Sequence, residues 1–225
     1  MRSTRLWAIL DARAAPDKVV AVGPDTKQMA KDDSERRYWN DRLEPRDYLF
    51  GTEPADFLLQ IGGLLPQSGK AIDLAGGEGR NAVYLARLGL DVEIWDLSSS
   101  GLAKASELAR ETGVTLRTVE CDLESVELPP QCADVIVCFY YTQRSLFAAV
   151  EKALRPGGVL VFENVTTDQP LAERPTRDPK FRLAPNELLH AFPSLRVLFY
   201  REGVVERGVP KGKHVASLVA RKEQS

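Results

Sequence analysis

From residue 71 onward the chain alternates between two hydrophobic periods. Short apolar runs at 71–75, 92–96, 116–121, 133–141 and 159–164 have the length and β-branched content of strands. Between them, 81–88, 98–111 and 143–154 carry apolar residues at helical spacing. Gly89, Gly113 and Arg155-Pro-Gly-Gly158 are helix terminators, and Ser98 is a cap. Two further strands are expected at 195–205 and 214–221, after a short helix at 185–192. Upstream, 32–43 reads as a short polar helix, Tyr48-Leu-Phe-Gly51 as a turn, and 52–65 as a helix opened by Thr52 and Pro54. Residues 1–31 show no sustained period and read as a flexible tail preceding one domain at 32–225.

Strands alternating with helices of this length imply βαβ units and a parallel sheet. The last connection departs from that rule. About eight residues, with Gly208, Pro210 and Gly212, separate the final two strands. A parallel crossover needs roughly a dozen or more residues, so the last strand must return antiparallel. The expected fold class is therefore α/β: a doubly wound, mostly parallel sheet of seven strands whose last strand is antiparallel.

Open parallel sheets bind ligands beyond the carboxyl ends of their strands. Here the first strand runs into Asp73-Leu-Ala-Gly-Gly-Glu-Gly79, the second ends at Asp96, and the third is followed by Asp122. Such carboxylates suit an adenosine that carries an amino acid. Gly76, Gly77 and Gly79, with Ala75, let backbone approach the ligand. Asp96, followed by Leu97, accepts from ribose hydroxyls. Asp122 accepts from the adenine amino group, with the Leu123 amide at a ring nitrogen. Asp73 holds the glycine loop or the ligand's ammonium. That ligand is S-adenosylmethionine (SAM).

A dinucleotide is the competing ligand, because Gly77-Glu-Gly-Arg-Asn-Ala82 satisfies G-x-G-x-x-G/A with Asp96 at the expected distance. Two features favour SAM. Asp73 would set a negative charge beside a pyrophosphate, and Asp122 stands at the adenine-facing position. A SAM sensor or degenerate scaffold without turnover is the non-enzymatic alternative.

Asp73-Leu-Ala-Gly-Gly-Glu-Gly-Arg-Asn81, Asp96-Leu-Ser98 and Leu154-Arg-Pro-Gly-Gly158 resemble the class I SAM-dependent methyltransferases, a Rossmann-like family. Trp39-Asn-Asp-Arg42, Tyr48-Leu-Phe-Gly-Thr-Glu-Pro54 and Ala216-Ser-Leu-Val-Ala-Arg-Lys222 are similar to segments of the tellurite-resistance subgroup. The resemblance covers about 38–222. It implies methyl transfer to a small-molecule acceptor, either a thiol or a tellurium or selenium oxyanion. One departure stands out: Ala75 replaces the first glycine of the family's loop, a tolerable change where φ is negative.

Candidate acceptor-side residues follow from strand ends. Phe139, Tyr140 and Tyr141 close the fourth strand beside the expected methyl site, where aromatic faces stabilise a sulfonium. Arg144, Arg207, Lys211 and Lys213 are cations for an anionic acceptor. Tyr140, Arg144 and Arg207 are the catalytic candidates, and Tyr38 and Trp39 candidate lid residues.

Composition narrows the remainder. Net charge is −2 with interspersed signs, which argues against a nucleic-acid footprint. Three cysteines without a Cys-x-x-Cys pair point to reduced thiols and a cytoplasmic protein. Two histidines leave no histidine-rich metal site, and no apolar run approaches a membrane span. The expected assembly is a monomer or homodimer.

Overall fold

The computed structural model describes residues 26–45, 47–168, 179–205 and 212–224. Its sheet has seven strands in the order β3-β2-β1-β4-β5-β7-β6. These are β1 (Lys70–Leu74), β2 (Asp91–Asp96), β3 (Leu116–Glu120), β4 (Ala133–Phe139), β5 (Leu154–Val165), β6 (Leu195–Val204) and β7 (His214–Lys222). β1 to β5 pair in parallel, and β7 runs antiparallel to both neighbours, as the short final connection requires.

Alternating side chains bury both faces. Ile72, Leu74, Ile136, Cys138, Leu160 and Phe162 pack on one side with Leu146, Val150 and Phe192. Ala71, Val92, Ile94, Val135, Val137 and Val161 pack on the other with Phe57, Leu58, Leu85, Leu102 and Ala105. The helices are α1 (Thr26–Leu43), α2 (Asp56–Gln60), α3 (Arg80–Arg87), α4 (Ser99–Thr112), α5 (Phe147–Ala153) and α6 (Glu187–His190).

Four expectations need correction. Helix α1 starts at Thr26, inside the segment expected as a tail; residues 1–25 lie outside those described. The helix expected over 52–65 is one turn and a half, α2, followed by a 3-10 turn at Gly62–Leu64. Two successive glycines, Gly62 and Gly63, each cost about 1 kcal/mol in a helix interior. The Tyr84 hydroxyl also occupies the space a Cβ on Gly62 would need. β4 ends at Phe139 rather than 141, because Tyr140 takes a left-handed φ of 59°. Finally, Arg155-Pro-Gly-Gly158 does not simply separate helix from strand. β5 already pairs at Leu154, and the register shifts between Ala133 and Val135 of β4 opposite this segment.

Candidate functional site

The strand order reverses between β1 and β4, and a crevice opens there at the carboxyl ends of the parallel strands. With its mouth and the open solvent there it takes in about 970 Å3.

Its floor is the loop leaving β1. Gly77 and Gly79 have φ of 55° and 84°, and Gly79 is the N-cap of α3. A Cβ on Gly79 would sit 2.6 Å from Ala105 Cβ, so only glycine lets α3 and α4 approach this closely. A Cβ on Gly76 would lie 2.5 Å from Ile94 and 2.8 Å from Asp73 Oδ2. Ala75 has φ of 54°. The substitution thus falls where alanine is strained, contrary to the negative φ under which it would be harmless.

Asp96 ties the loop to β2. Its Oδ2 accepts the Gly77 amide at 2.8 Å and its Oδ1 the Ser98 amide at 2.8 Å. The cap of α4 is Ser98, whose hydroxyl accepts the Gly101 amide at 3.1 Å. Burial raises the Asp96 pKa, against the pull of the Ser98 and Gly77 amides.

Asp73 is 1% exposed, and among the described residues its Oδ2 has no hydrogen-bond partner. Burial first, and the Asp96 charge second, push its pKa up to about 8; Arg80 and the Ala82 amide oppose them. A buried carboxylate oxygen facing a cavity suits an arriving cation, and the cofactor's ammonium is one. Asp122, Leu97, Leu123, Phe139, Ala75, Gly76 and Gly77 line the same crevice. Asp122 Oδ1 accepts the Glu124 amide at 2.8 Å. Gly79 is not among the lining residues and acts through the loop's shape.

Two segments cover the crevice. From α1, Glu35, Trp39 and Leu43 line it. The helix is pinned by Asn40, whose Oδ1 accepts the Ser98 hydroxyl at 2.8 Å and the Ser100 amide at 3.2 Å. Arg36 bonds the Glu120 carboxylate and the Leu97 carbonyl. Tyr38 contacts Trp39 edge-on, is 46% exposed, and is not a lining residue. The second cover is the turn at 48–51, which brings in Phe50. Glu78, 3% exposed in the middle of the glycine loop, accepts the Leu49 and Phe50 amides at 3.1 and 3.2 Å and Lys104 Nζ at 2.9 Å. Arg80 donates to the Phe50 carbonyl at 3.1 Å.

The acceptor side departs further from expectation. Tyr140 lines the crevice, but its hydroxyl donates to Glu163 Oε1 at 2.7 Å. Its left-handed backbone costs on the order of 1–3 kcal/mol, held by its amide's 2.8 Å bond to the Glu163 carbonyl. Arg144 does not line the crevice. Its guanidinium grips both oxygens of Glu187, at 2.6 and 2.8 Å, and the carbonyls of Lys180 and Arg182. It clamps the 180–187 segment, away from the lining of the crevice. Arg207 and Lys211 lie outside the described residues, and Lys213 is not a lining residue. Cys138 is buried, with its thiol 3.4 Å from the Tyr141 carbonyl and its pKa raised by burial.

Glu35, Leu43, Phe50, Arg80, Asn81, Cys121 and Glu124 line the crevice without having been candidates. Arg80 and Asn81 directly follow the glycine loop, and Glu124 follows Asp122 by two, so proximity was the available signal. Phe50 lies in the Tyr48–Pro54 stretch that carries the subgroup resemblance, whereas nothing in the sequence marks Glu35. Among the described lining residues five are carboxylates and one, Arg80, is a cation.

Residues 71–158 match the family model described as "Methyltransferase domain". The probable SAM-dependent methyltransferase TehB of Haemophilus influenzae is 26% identical over 144 residues, 61% of this chain and 49% of TehB. The tRNA 5-carboxymethoxyuridine methyltransferase of Escherichia coli is 29% identical over 42% of this chain and 40% of its own. The chain thus spans half or less of these relatives' length. The TehB crystal structure superimposes with a TM-score of 0.63 at 22% identity, covering 84% of this chain and 67% of that one. The [4+2]-cyclase SpnF has a TM-score of 0.63 at 16% identity, covering 93% of this chain and 100% of its own. These structures establish the α/β methyltransferase fold. No described helix is long and apolar enough to cross a membrane.

Proposed function

We propose that the chain transfers a methyl group from SAM to a small-molecule acceptor. The observation that carries this reading is Asp73, a buried carboxylate with an unpartnered oxygen beside a glycine cradle. A dinucleotide's pyrophosphate brings no cation to satisfy that carboxylate, whereas the ammonium of SAM does, which disfavours the NAD alternative.

When bound, SAM would supply an electrophilic methyl group; an acceptor's lone pair would form the new bond as the sulfur–methyl bond breaks in line, leaving S-adenosylhomocysteine. The chain's own groups would bind and orient it. Asp73 would hold the ammonium, Asp96 the ribose hydroxyls and Asp122 the adenine amino group. Trp39, Leu43 and Phe50 restrict water at the crevice, and Tyr140 borders the reacting end. Alignment of two bound groups supplies much of the acceleration in such a step.

The acceptor reading is a soft nucleophile, a thiol ahead of a tellurium or selenium oxyanion. With Arg144 engaged elsewhere, Arg80 is the one cation among the described lining residues. The unpaired Cys121, Cys132 and Cys138 accord with a cytoplasmic setting. A second reading, a SAM-fold protein with another reaction, takes support from the fold shared with SpnF.

Calorimetric titration with SAM, with NAD as control, tests the reading. Micromolar SAM binding and silence for NAD are expected; silence for SAM overturns it. Turnover with a panel of thiols, selenite and tellurite then separates transfer from mere binding.

A further inference from the structure

We infer that Glu163 is a positioning residue that fixes and polarises the Tyr140 ring, and thereby makes the crevice favour the sulfonium cofactor over its neutral thioether product. The inference rests on the SAM reading above.

Glu163 is 1% exposed on β5 and divides its carboxylate between two tasks. Oε2 accepts the Ser217 hydroxyl at 2.6 Å and faces the Arg201 guanidinium at 3.3 Å, which ties it to β7 and β6. Oε1 accepts the Tyr140 phenol at 2.7 Å. The same residue's carbonyl holds the Tyr140 amide at 2.8 Å. Backbone and side chain of Tyr140 are therefore both set by one partner, at a residue whose φ of 59° tyrosine rarely adopts. A fixed ring presents one surface to a ligand without the entropic loss of ordering it on binding.

The register bears on which part of the ligand that surface would meet. Asp73 on β1 pairs with Val137 on β4 and Leu74 with Cys138, so Tyr140, directly after β4, lies beside the turn leaving β1, whereas Asp96 lies on β2 beyond β1. Asp96, Asp73 and Tyr140 all line the crevice. The sulfonium joins the ribose to the amino-acid chain, so a cofactor held at Asp96 and Asp73 would set it between those anchors, over the end of β1, with Tyr140 on the adjoining β4 side.

A phenol that donates to a carboxylate gains electron density on its ring, and a richer ring attracts a cation more strongly. The phenol keeps its proton for this purpose, since burial and the Glu163 charge raise its pKa. SAM carries the sulfonium charge and S-adenosylhomocysteine does not, while the two share every other anchor. The Glu163–Tyr140 pair therefore acts on the ratio of the two affinities rather than on either alone.

The test is calorimetric titration of the full chain with SAM and with S-adenosylhomocysteine, for wild type, Tyr140→Phe, Glu163→Gln and the double variant. Tyr140→Phe keeps the ring and loses the hydrogen bond; it should weaken SAM roughly 3- to 10-fold and leave S-adenosylhomocysteine within about 2-fold. Glu163→Gln should do the same, and the double variant no more than either, because both act through one contact. A parallel loss for the two ligands means a merely structural role and overturns the inference; an unchanged ratio also overturns it. If Glu163→Gln does not fold, Tyr140→Phe alone decides. Wild type binding neither ligand would instead sink the cofactor reading.

Discussion

The half of the sheet built from β1, β2 and β3 and the half built from β4 to β7 hold their polar groups in different ways. In the first, the core of the cradle is tied within one stretch of chain, with Asp96 reaching Gly77 and Ser98 capping its own helix, and α1 and the 48–51 turn are then fastened over it through Asn40 and Glu78. In the second, partners come from distant strands. Glu163 meets Tyr140, Arg201 and Ser217, and Arg144 reaches Glu187. A cofactor common to many proteins suits a locally encoded cradle. An acceptor particular to one protein suits walls assembled from scattered residues, which change one at a time without disturbing the cradle.

The largest expected effect lies in the first half. Asp96→Ala removes a charged acceptor and unties Gly77, so SAM affinity should fall at least about 100-fold in calorimetry, roughly two charged hydrogen bonds' worth. A smaller fall would mean that the cradle stands without its carboxylate.

Asp73 supplies the next effect, through pH. Its pKa of about 8 means that the folded, ligand-free protein keeps this carboxyl protonated up to about that pH. The unfolded chain ionises it near pH 4. The folded state therefore binds the extra proton between those values, and this group's contribution to stability declines as pH rises through that window. Binding an ammonium needs the ionised form, so SAM affinity should rise with pH, approaching tenfold per unit between about pH 6 and 7. Asp73→Asn should flatten that slope; an equally steep slope in the variant would assign it to another group.

Arg144→Ala then tests the other half. Its clamp is about half exposed, so the expected loss is about 1 kcal/mol in urea unfolding, with SAM affinity unchanged. A selective loss of turnover, with stability intact, would return Arg144 to the acceptor site. The smallest effect is at Ala75. Glycine there relieves a left-handed alanine worth about 1 kcal/mol but regains chain entropy in the unfolded state. Ala75→Gly should stabilise by about 0.5 kcal/mol or less, read as a small rise in Tm.

The same contrast governs what could be read from the sequence. The glycine loop, Asp96 and Asp122 were legible because each follows directly from an apolar strand, and strand ends converge in an open sheet. The antiparallel return of β7 was legible from connection length. Glu163 was not, because an acidic residue within an apolar strand carries no mark of its partners just after β4 and on β6 and β7. The partner of Arg144 was illegible for a related reason. A cation after a strand end is equally suited to a ligand or to a neighbouring carboxylate, and the choice lies in Glu187, 43 positions away. The left-handed φ of Tyr140 is likewise set by tertiary contacts. Gly62-Gly63, by contrast, was a local signal that outweighed the apolar pattern around it.

The insertion of β7 between β5 and β6 also sets an order of events during synthesis. Val161 on β5 waits for Val219, and Phe162 for Leu218. Until those residues leave the ribosome, β5 exposes a long apolar edge, the kind of template on which nascent chains stick to one another. Ser217 arrives on the same strand, so the Glu163 network closes only then. Asp73, the glycine loop, Asp96 and Asp122 all emerge before β4, whereas the far wall is finished last; a ligand captured by the growing chain would meet a half-built site.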